Sequence, residues 1–274
     1  MGMQLAVVMP VFNAGRFLRE SMDSILNQTY RDFVFIVCDD GSTDDSLSIL
    51  EEYARRDSRL RVLRNKENLG IPLTRNKLLT AVPPECEYLA LMDSDDVCMS
   101  DRLERQVKIL TDHPELCGVG SSLEIIDEDS RTTGFRRYPT SPEEIRRIMP
   151  DRNVIAQSSL MLRRAAFDAV GGYRPGLACC EDYDCWLRML EKYDFTNLPD
   201  PVLKYRMSTS QSKQSKLRLT LRNTLTIQSE YRTRTKSWTP GARLRALAGH
   251  ALLCLPSVVV LKLFELMTYR KKPQ

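Results

Sequence analysis

Two kinds of apolar spacing alternate along the first half of the chain. Leu5-Ala6-Val7-Val8-Met9 is a short continuous run ending at Pro10, which suits a buried strand. Between residues 14 and 28 the spacing becomes helical, with Phe17, Leu18, Met22, Ile25 and Leu26 on one face. Phe33 to Cys38 is continuous again, β-branched and aromatic, and runs into Asp39-Asp40-Gly41-Ser42. Asp44 can cap a following helix whose apolar positions are Leu47, Ile49, Leu50 and Tyr53. Leu60 to Leu63 reads as a third strand, Asn68-Leu69-Gly70 as a turn, and Pro72 as a residue of a first helical turn. Tyr88 to Met92 is a fourth strand, leading directly into Asp93, and Ser100 is placed to cap a helix through Leu110. Such alternation predicts an α/β fold with a mainly parallel sheet flanked by helices.

The second half is less regular. Val119 to Ile126 reads as one strand, Arg131 to Pro142 as a loop, and Pro142 to Ile148 and Arg164 to Val170 as short helices. Gly171-Gly172 stops the second of these. Glu181 to Lys192 is amphipathic at helical spacing, while Thr196 to Tyr205 is interrupted by Pro199 and Pro201. A polar, basic, helical segment is expected to Tyr231, then a break near Pro240-Gly241 and an apolar segment ending in Tyr269-Arg270-Lys271-Lys272.

Composition changes this picture in one respect. The 274 residues, 42% hydrophobic and 28% charged, are those of an ordinary globular protein. Their net charge of +4 conceals an asymmetry: residues 201–274 hold 15 Lys and Arg against 2 Asp and Glu, whereas the first 200 hold 25 against 34. An acidic body therefore precedes a basic tail. The 8 cysteines form no Cys-x-x-Cys pair and the 2 histidines are far apart, which argues against a zinc site and for unpaired thiols in a reducing cytoplasm. The first apolar run is too short for a signal peptide, and Ala251 to Leu266 is interrupted by Pro256, Lys262 and Glu265, so no membrane span is expected.

In an open parallel sheet, ligands gather at the carboxyl ends of the strands. Acidic features stand at two such ends, Asp39-Asp40 and Asp93-Ser94-Asp95-Asp96, with the Pro10-Val11-Phe12-Asn13 turn beside them. Residues at i and i+2 of extended backbone project to the same side, so an Asp-x-Asp can bring two carboxylates to one site. Mg²⁺ or Mn²⁺ accepts one or two carboxylates and completes its shell with water and phosphate oxygens. Each feature also has a plain reading, as a turn or a helix cap. Arg75 is either a solvated helix charge or a partner for phosphate. Glu181 and Asp182, in a first helical turn, either complement the helix dipole or supply a general base.

Taken together, Val7-Val8-Met9-Pro10-Val11-Phe12-Asn13, Gln28-Thr29-Tyr30, Asp39-Asp40-Gly41-Ser42-Thr43-Asp44, Asn68-Leu69-Gly70, Met92-Asp93-Ser94-Asp95-Asp96 and Glu181-Asp182-Tyr183-Asp184 resemble family 2 glycosyltransferases in order and spacing, over about residues 4–206. The resemblance implies a GT-A fold (Rossmann-like), a nucleotide-diphosphate-sugar donor, Mn²⁺ or Mg²⁺, and inversion at the anomeric carbon. It implies a glycosyltransferase domain at 1–206, with a nucleotide-sugar-binding half at 1–115 and an acceptor-binding half at 116–206, then a helical extension at 207–274. Pro10, Val11 and Phe12 would line the nucleoside pocket, and Asp40, beside Asp39, would contact the base. Arg75 would lie near the diphosphate. Asp93 and Asp95 match the Asp-x-Asp, with Asp95 on the metal and Asp93 toward the ribose as well as the metal; Ser94 lies between them on the donor side. Asp182 matches the catalytic base. Asp96 and Glu181 would support the site; Trp186 falls where members have an aromatic beside the acceptor, and reads equally as a core residue of an amphipathic helix.

Two departures from the family pattern stand out. Gln157 occupies a position where many relatives have a histidine, and Met207-Ser208-Thr209-Ser210 offers none after Tyr205-Arg206. The Gln-x-x-Arg-Trp signature of processive synthases is also absent, which points to transfer of one sugar per encounter. The expected reaction carries a sugar from a UDP-sugar to a hydroxyl of a glycan or lipid-linked acceptor in surface polysaccharide biosynthesis. Two alternatives are a catalytically degenerate donor-binding or scaffold protein and a sugar-1-phosphate nucleotidyltransferase; the latter should carry a Gly-rich, Arg-containing loop after the first strand, where this chain has Pro10-Val11-Phe12-Asn13. The basic tail reads equally as a surface for anionic membrane, at the inner face of the cell membrane, and as a lid with a solvated charged face. Nucleic acid is not an expected partner, because the tail's aromatics are sparse and no recognised module is present.

Overall fold

A computed structural model describes residues 4–207 and 217–255. β1 (Leu5–Val11), β2 (Phe33–Asp39), β3 (Leu60–Arg64) and β4 (Tyr88–Leu91) are parallel, separated by α1 (Gly15–Leu26), α2 (Ser46–Arg56) and α3 (Ile71–Thr80). There follow β5 (Val97–Cys98), α4 (Arg102–Asp112), β6 (Leu116–Ser121), β7 (Leu123–Ile126), β8 (Thr132–Arg136), α5 (Pro142–Ile148), β9 (Met161–Arg163) and α6 (Arg164–Asp168). The remaining elements are α7 (Glu181–Leu190), β10 (Asp194–Leu198), β11 (Leu203–Arg206), α8 (Leu217–Arg234) and α9 (Pro240–Cys254).

The main sheet has the order β10-β6-β9-β4-β1-β2-β3, and only β9 runs antiparallel to its neighbours. Side chains alternate between its faces. Ala6 and Val8 enter the layer beneath α3, α5, α6 and α7, while Val7, Met9 and Val11 enter the layer beneath α1, α2 and α4. Fully burying a side chain such as Phe35 or Phe195 contributes about 1.5–3 kcal/mol. Both faces are covered, which is why the strands read as continuous apolar runs.

The structure corrects four local expectations. Val119 to Ile126 is not one strand: β6 belongs to the main sheet and β7 to a second sheet of order β5-β11-β7-β8. Both segments are buried, so the apolar run carries no mark of the change at Ser122, whose N–H turns to Leu198 O. The expected loop after Arg131 contains β8, an edge strand whose largely exposed Thr-Thr-Gly-Phe-Arg is held by backbone pairing to β7. The N-cap of α2 is Asp45; Asp44 instead accepts from Ser46 N at 3.0 Å and Gly15 N at 2.9 Å, tying the starts of α2 and α1 together. The N-cap of α4 is Asp101 rather than Ser100, and the capping oxygen comes from Gln28, which accepts from Leu103 N at 3.0 Å.

The C-terminal extension begins as a helical pair. Ile227 and Tyr231 of α8 join the core around α7, and a Cβ on Gly249 of α9 would meet Leu225 at 2.5 Å, a measure of how closely the two helices approach. Among the described residues, no helix is long and apolar enough to cross a membrane. Most of the apolar final segment, residues 256–274, lies outside the described residues.

Candidate active site

β1 lies between β2 and β4, so the carboxyl ends of these three strands share one edge of the sheet. The turn after β1 is locked to the turn after β2. Val11 O accepts from Asp40 N at 2.8 Å, Asn13 N donates to Ser42 Oγ at 3.0 Å, and Asn13 Oδ1 accepts from Thr43 N at 2.9 Å. Gly41 has φ +72°, and a Cβ there would meet the Glu67 backbone at 2.7 Å, so the Asp-Gly pair permits a close crossing of two loops.

The sequence-predicted donor residues are placed differently from one another. Pro10 lies in a small hollow with Arg75, Gln157 and Tyr173, and Phe12 is 46% exposed at the rim. Val11 is a correction: strand alternation turns its side chain into the α1 layer, and only its backbone stands at the edge. Asp39 is fully buried; one oxygen accepts from Ser42 N at 3.3 Å and the other has no hydrogen-bond partner among the described residues. Asp40 organises the next turn. Its carboxylate accepts from Asn65 Nδ2 at 2.7 Å, Leu69 N at 3.0 Å and Gly70 N at 3.0 Å.

Arg75 of α3, buried and stacked 5.7 Å from the Tyr173 ring centroid, joins the two acidic motifs. It donates to Asp93 Oδ1 at 2.7 Å and, through its other arm, to Glu181 Oε1. Beside Glu181, Asp182 accepts from Asn153 Nδ2 at 3.1 Å. Cys180, which precedes them, has φ +66°, so a left-handed turn launches α7. Ser94 and Asp95 are half-buried, and Asp96 is buried.

A strand remote in sequence secures the Asp-x-Asp. β11 pairs antiparallel with β5, just beyond Asp96. Arg206 N donates to Asp96 Oδ1 at 2.9 Å and Arg206 Nε to Asp95 O at 2.8 Å. The same buried guanidinium reaches Asp127 O, Ser130 Oγ and Glu20, and lies 4.5 Å from the Phe17 ring centroid. The other oxygen of Asp96 is buried without a hydrogen-bond partner among the described residues.

Negative charge accumulates here. Burial, then the charges of Asp95 and Asp93, push the Asp96 carboxyl well up, against the Ser158 hydroxyl and the Arg206 amide. Burial raises Glu181 against the pull of Arg75, and Asp182 adds to the rise. Burial also raises Asp182, opposed by the Tyr183 amide and Arg75 and reinforced by Asp93. Among the described residues, no group of three or more His, Cys, Asp and Glu side chains is arranged to hold a metal ion by itself. Mg²⁺ and Mn²⁺ do not need one, since one or two carboxylates suffice when phosphate oxygens and water complete the shell. Half-buried Asp93 and Asp95, with the unpartnered oxygen of Asp96 buried beside them, make an acidic edge whose charge suits a cation.

Trp186 is a second correction. It is fully buried, edge-on to Tyr173 and Phe195 with ring centroids 6.2 Å away in each case, and belongs to the core rather than to an acceptor surface. Gln157, at a position where the resemblance leads one to expect histidine, donates to the Tyr173 hydroxyl at 2.7 Å, and its buried Oε1 has no partner among the described residues. Residues 208–210, where the second histidine is missing, lie outside the described residues. Asn153 and Asn65 had no signal in the sequence. Arg206 was visible only as part of a Tyr-Arg pair.

A family model described as "Glycosyl transferase family 2" matches residues 6–171, more than half of the chain and all of the strand ends just described. The chain belongs to glycosyl transferase family 2. This family 2 glycosyltransferase is 32% identical over 230 residues to EpsE, named as a glycosyltransferase in Bacillus subtilis (strain 168), covering 82% of this chain and 81% of that protein. It is 32% identical over 219 residues to the O-antigen biosynthesis glycosyltransferase WbnJ of Escherichia coli, covering 78% and 83%. Among solved structures, the mannosyltransferase PcManGT from Pyrobaculum calidifontis, in complex with GDP-Man and Mn²⁺, aligns with TM-score 0.63 at 16% identity over 96% of this chain and 73% of that one. S. aureus TarS 1-349 in complex with UDP aligns with TM-score 0.60 at 20% identity over 94% and 83%. The fold is GT-A.

Proposed function

We propose that this glycosyltransferase moves one sugar at a time from a nucleotide-diphosphate sugar, a UDP-sugar, to a hydroxyl of a glycan or lipid-linked acceptor, with inversion. The setting is surface polysaccharide biosynthesis in the cytoplasm, at the inner face of the cell membrane. The observation that carries the reading is the Arg75 bridge, which holds the acidic end of β4 against the acidic start of α7. A donor site and a base are then neighbours. Relatives named for O-antigen and teichuronic acid biosynthesis support the pathway class, and a neighbour in complex with UDP supports the nucleotide.

In this reading Asp182, steadied by Asn153, takes the proton of the acceptor hydroxyl while that oxygen attacks the anomeric carbon. The bond from that carbon to the diphosphate oxygen breaks, and its electron pair leaves with the nucleoside diphosphate. A single displacement inverts the centre. A divalent ion held by Asp93 and Asp95 would supply Lewis-acid neutralisation of the leaving diphosphate. Arg75 is a further fixed positive charge on the same edge, while Asp39 and Asp40 keep the nucleoside-side loops in register.

The test is Asp182→Asn. The variant should keep donor binding, read as a nucleotide-sugar-dependent rise in unfolding temperature with Mn²⁺ present, and lose transfer by about 10²–10⁴. Transfer at the parent rate would remove Asp182 from the role of base. No stabilisation by any nucleotide-sugar in the parent chain would favour a degenerate relative of the family.

A further inference from the structure

One face of α9 has no partner among the described residues. Ala242 and Gly249 are buried against α8, with Leu225 directly beneath Gly249. The opposite side exposes Leu244 (69%) and Leu247 (68%), with Ala248, Ala251 and Leu255 also exposed. At about 100° per residue these five form one stripe, in the angular order Leu247, Ala251, Leu244, Leu255, Ala248. Exposed Arg243 and His250 border it on one side, and Arg245, paired with Asp151, on the other. α9 contains no Asp or Glu.

We infer that this outer face of α9 docks on the surface of an anionic lipid bilayer. A short helix with an apolar stripe between cationic borders lies in a membrane interface, leucines among the acyl chains and arginines at the headgroups. The charge of the region matches, since residues 201–274 carry 15 Lys and Arg against 2 Asp and Glu. The chain beyond α9 continues the pattern in its sequence, with Val258-Val259-Val260-Leu261-Lys262-Leu263-Phe264 and a terminal Arg270-Lys271-Lys272. A second copy is a poorer occupant, since α9 offers no carboxylate to pair with Arg243 of another α9.

The docking face is also joined to the proposed base. Arg245 of α9 donates to both oxygens of Asp151, at 2.9 and 3.0 Å, and Arg232 of α8 holds the same carboxylate. Two residues further on, Asn153 meets Asp182. The inference rests on the proposed membrane-side acceptor for its purpose, whereas vesicle binding needs neither donor nor acceptor.

The experiment is flotation of the full chain with phosphatidylcholine vesicles, with and without phosphatidylglycerol. The parent chain should float with the anionic vesicles, not with phosphatidylcholine alone, and less at high salt. Leu244→Ser with Leu247→Ser should lower the partition coefficient by roughly tenfold, and Arg243→Ala by roughly fivefold. Both variants should unfold at the parent temperature, since the changed side chains are exposed. A parent chain that stays at the bottom of the gradient, or a double leucine variant that floats as the parent does, would overturn the inference. So would concentration-dependent dimerisation lost in the leucine variant without any vesicle binding, which would assign the face to a second copy. An inactive chain that floats, or an active one that does not, separates failure of this inference from failure of the proposed reaction.

Discussion

Arg75 Nη2 and Asp93 Oδ1 are 2.7 Å apart across a gap of 18 residues, and the other arm of the same guanidinium holds Glu181, 106 residues away. The pair is largely shielded, with the Arg75 side chain 9% and the Asp93 side chain 30% exposed. Removing one partner of a shielded pair leaves a charge uncompensated. Arg75→Ala should therefore cost about 3–5 kcal/mol of stability, measured by denaturant unfolding. Arg75→Lys keeps the charge but cannot span two carboxylates, so it should recover part of the stability and little of the transfer activity. Full activity in the lysine variant would show that charge alone is needed at this point.

Asn153 is expected to set the pH range of activity. Asp182 must be ionised to accept a proton, and burial raises its pKa above the ordinary carboxylate value. Activity is lost as pH falls through that raised value. Asn153 donates to the charged form, so Asn153→Ala should raise it further and move the acid limb of kcat/KM to higher pH. The linkage to stability has the opposite sense. A carboxyl whose folded pKa is raised contributes stability while protonated, and loses it as pH rises through the folded value. Asp182→Asn should remove that loss, seen as a flatter unfolding temperature across the same window.

Trp186 should matter to folding and not to the acceptor. Its indole lies between Tyr173 and Phe195 and its Nε1 has no hydrogen-bond partner among the described residues. Trp186→Ala should cost about 3–5 kcal/mol. Trp186→Phe, which sacrifices no hydrogen bond, should lower the unfolding temperature modestly and leave the acceptor KM unchanged. A raised acceptor KM in the phenylalanine variant would return this residue to the acceptor side.

Asp40 accepts hydrogen bonds from three donors on the 65–70 segment. Asp40→Asn presents an NH₂ to one of those donors, leaving it unpaired against a buried side chain, at a cost of about 1–3 kcal/mol. Unfolding temperature should fall even with no nucleotide present. A variant as stable as the parent that binds nucleotide less well would assign the carboxylate to the base instead of the turn.

Much of the fold was legible because its signals are local. Continuous apolar runs and helical spacing reported the first four strands and the helices between them, since both sheet faces are covered. Where the signal failed, the cause was also physical. The passage from β6 to β7 changes sheet without changing burial, and β8 is an edge strand with no buried face to impose alternation. The family resemblance puts Val11 in the nucleoside pocket and allows Trp186 beside the acceptor, but strand and helix geometry turn both side chains inward.

The amino-acid sequence by itself determined the α/β layering, the acidic ends of β2 and β4, the acidic start of α7 and the family, because each is written in contiguous residues. Only the tertiary structure decided what those groups touch. Arg206 reaches Asp96 across 110 residues, Asn153 reaches Asp182 across 29, and Asp40 is occupied by a turn rather than open to the edge. Hydrogen bonds between distant segments depend on how the sheet is ordered and how loops cross, and no spacing along the chain encodes that. The same holds for α9: the composition of the tail offers membrane and lid equally, and packing against α8 determined which face of α9 is uncovered among the described residues.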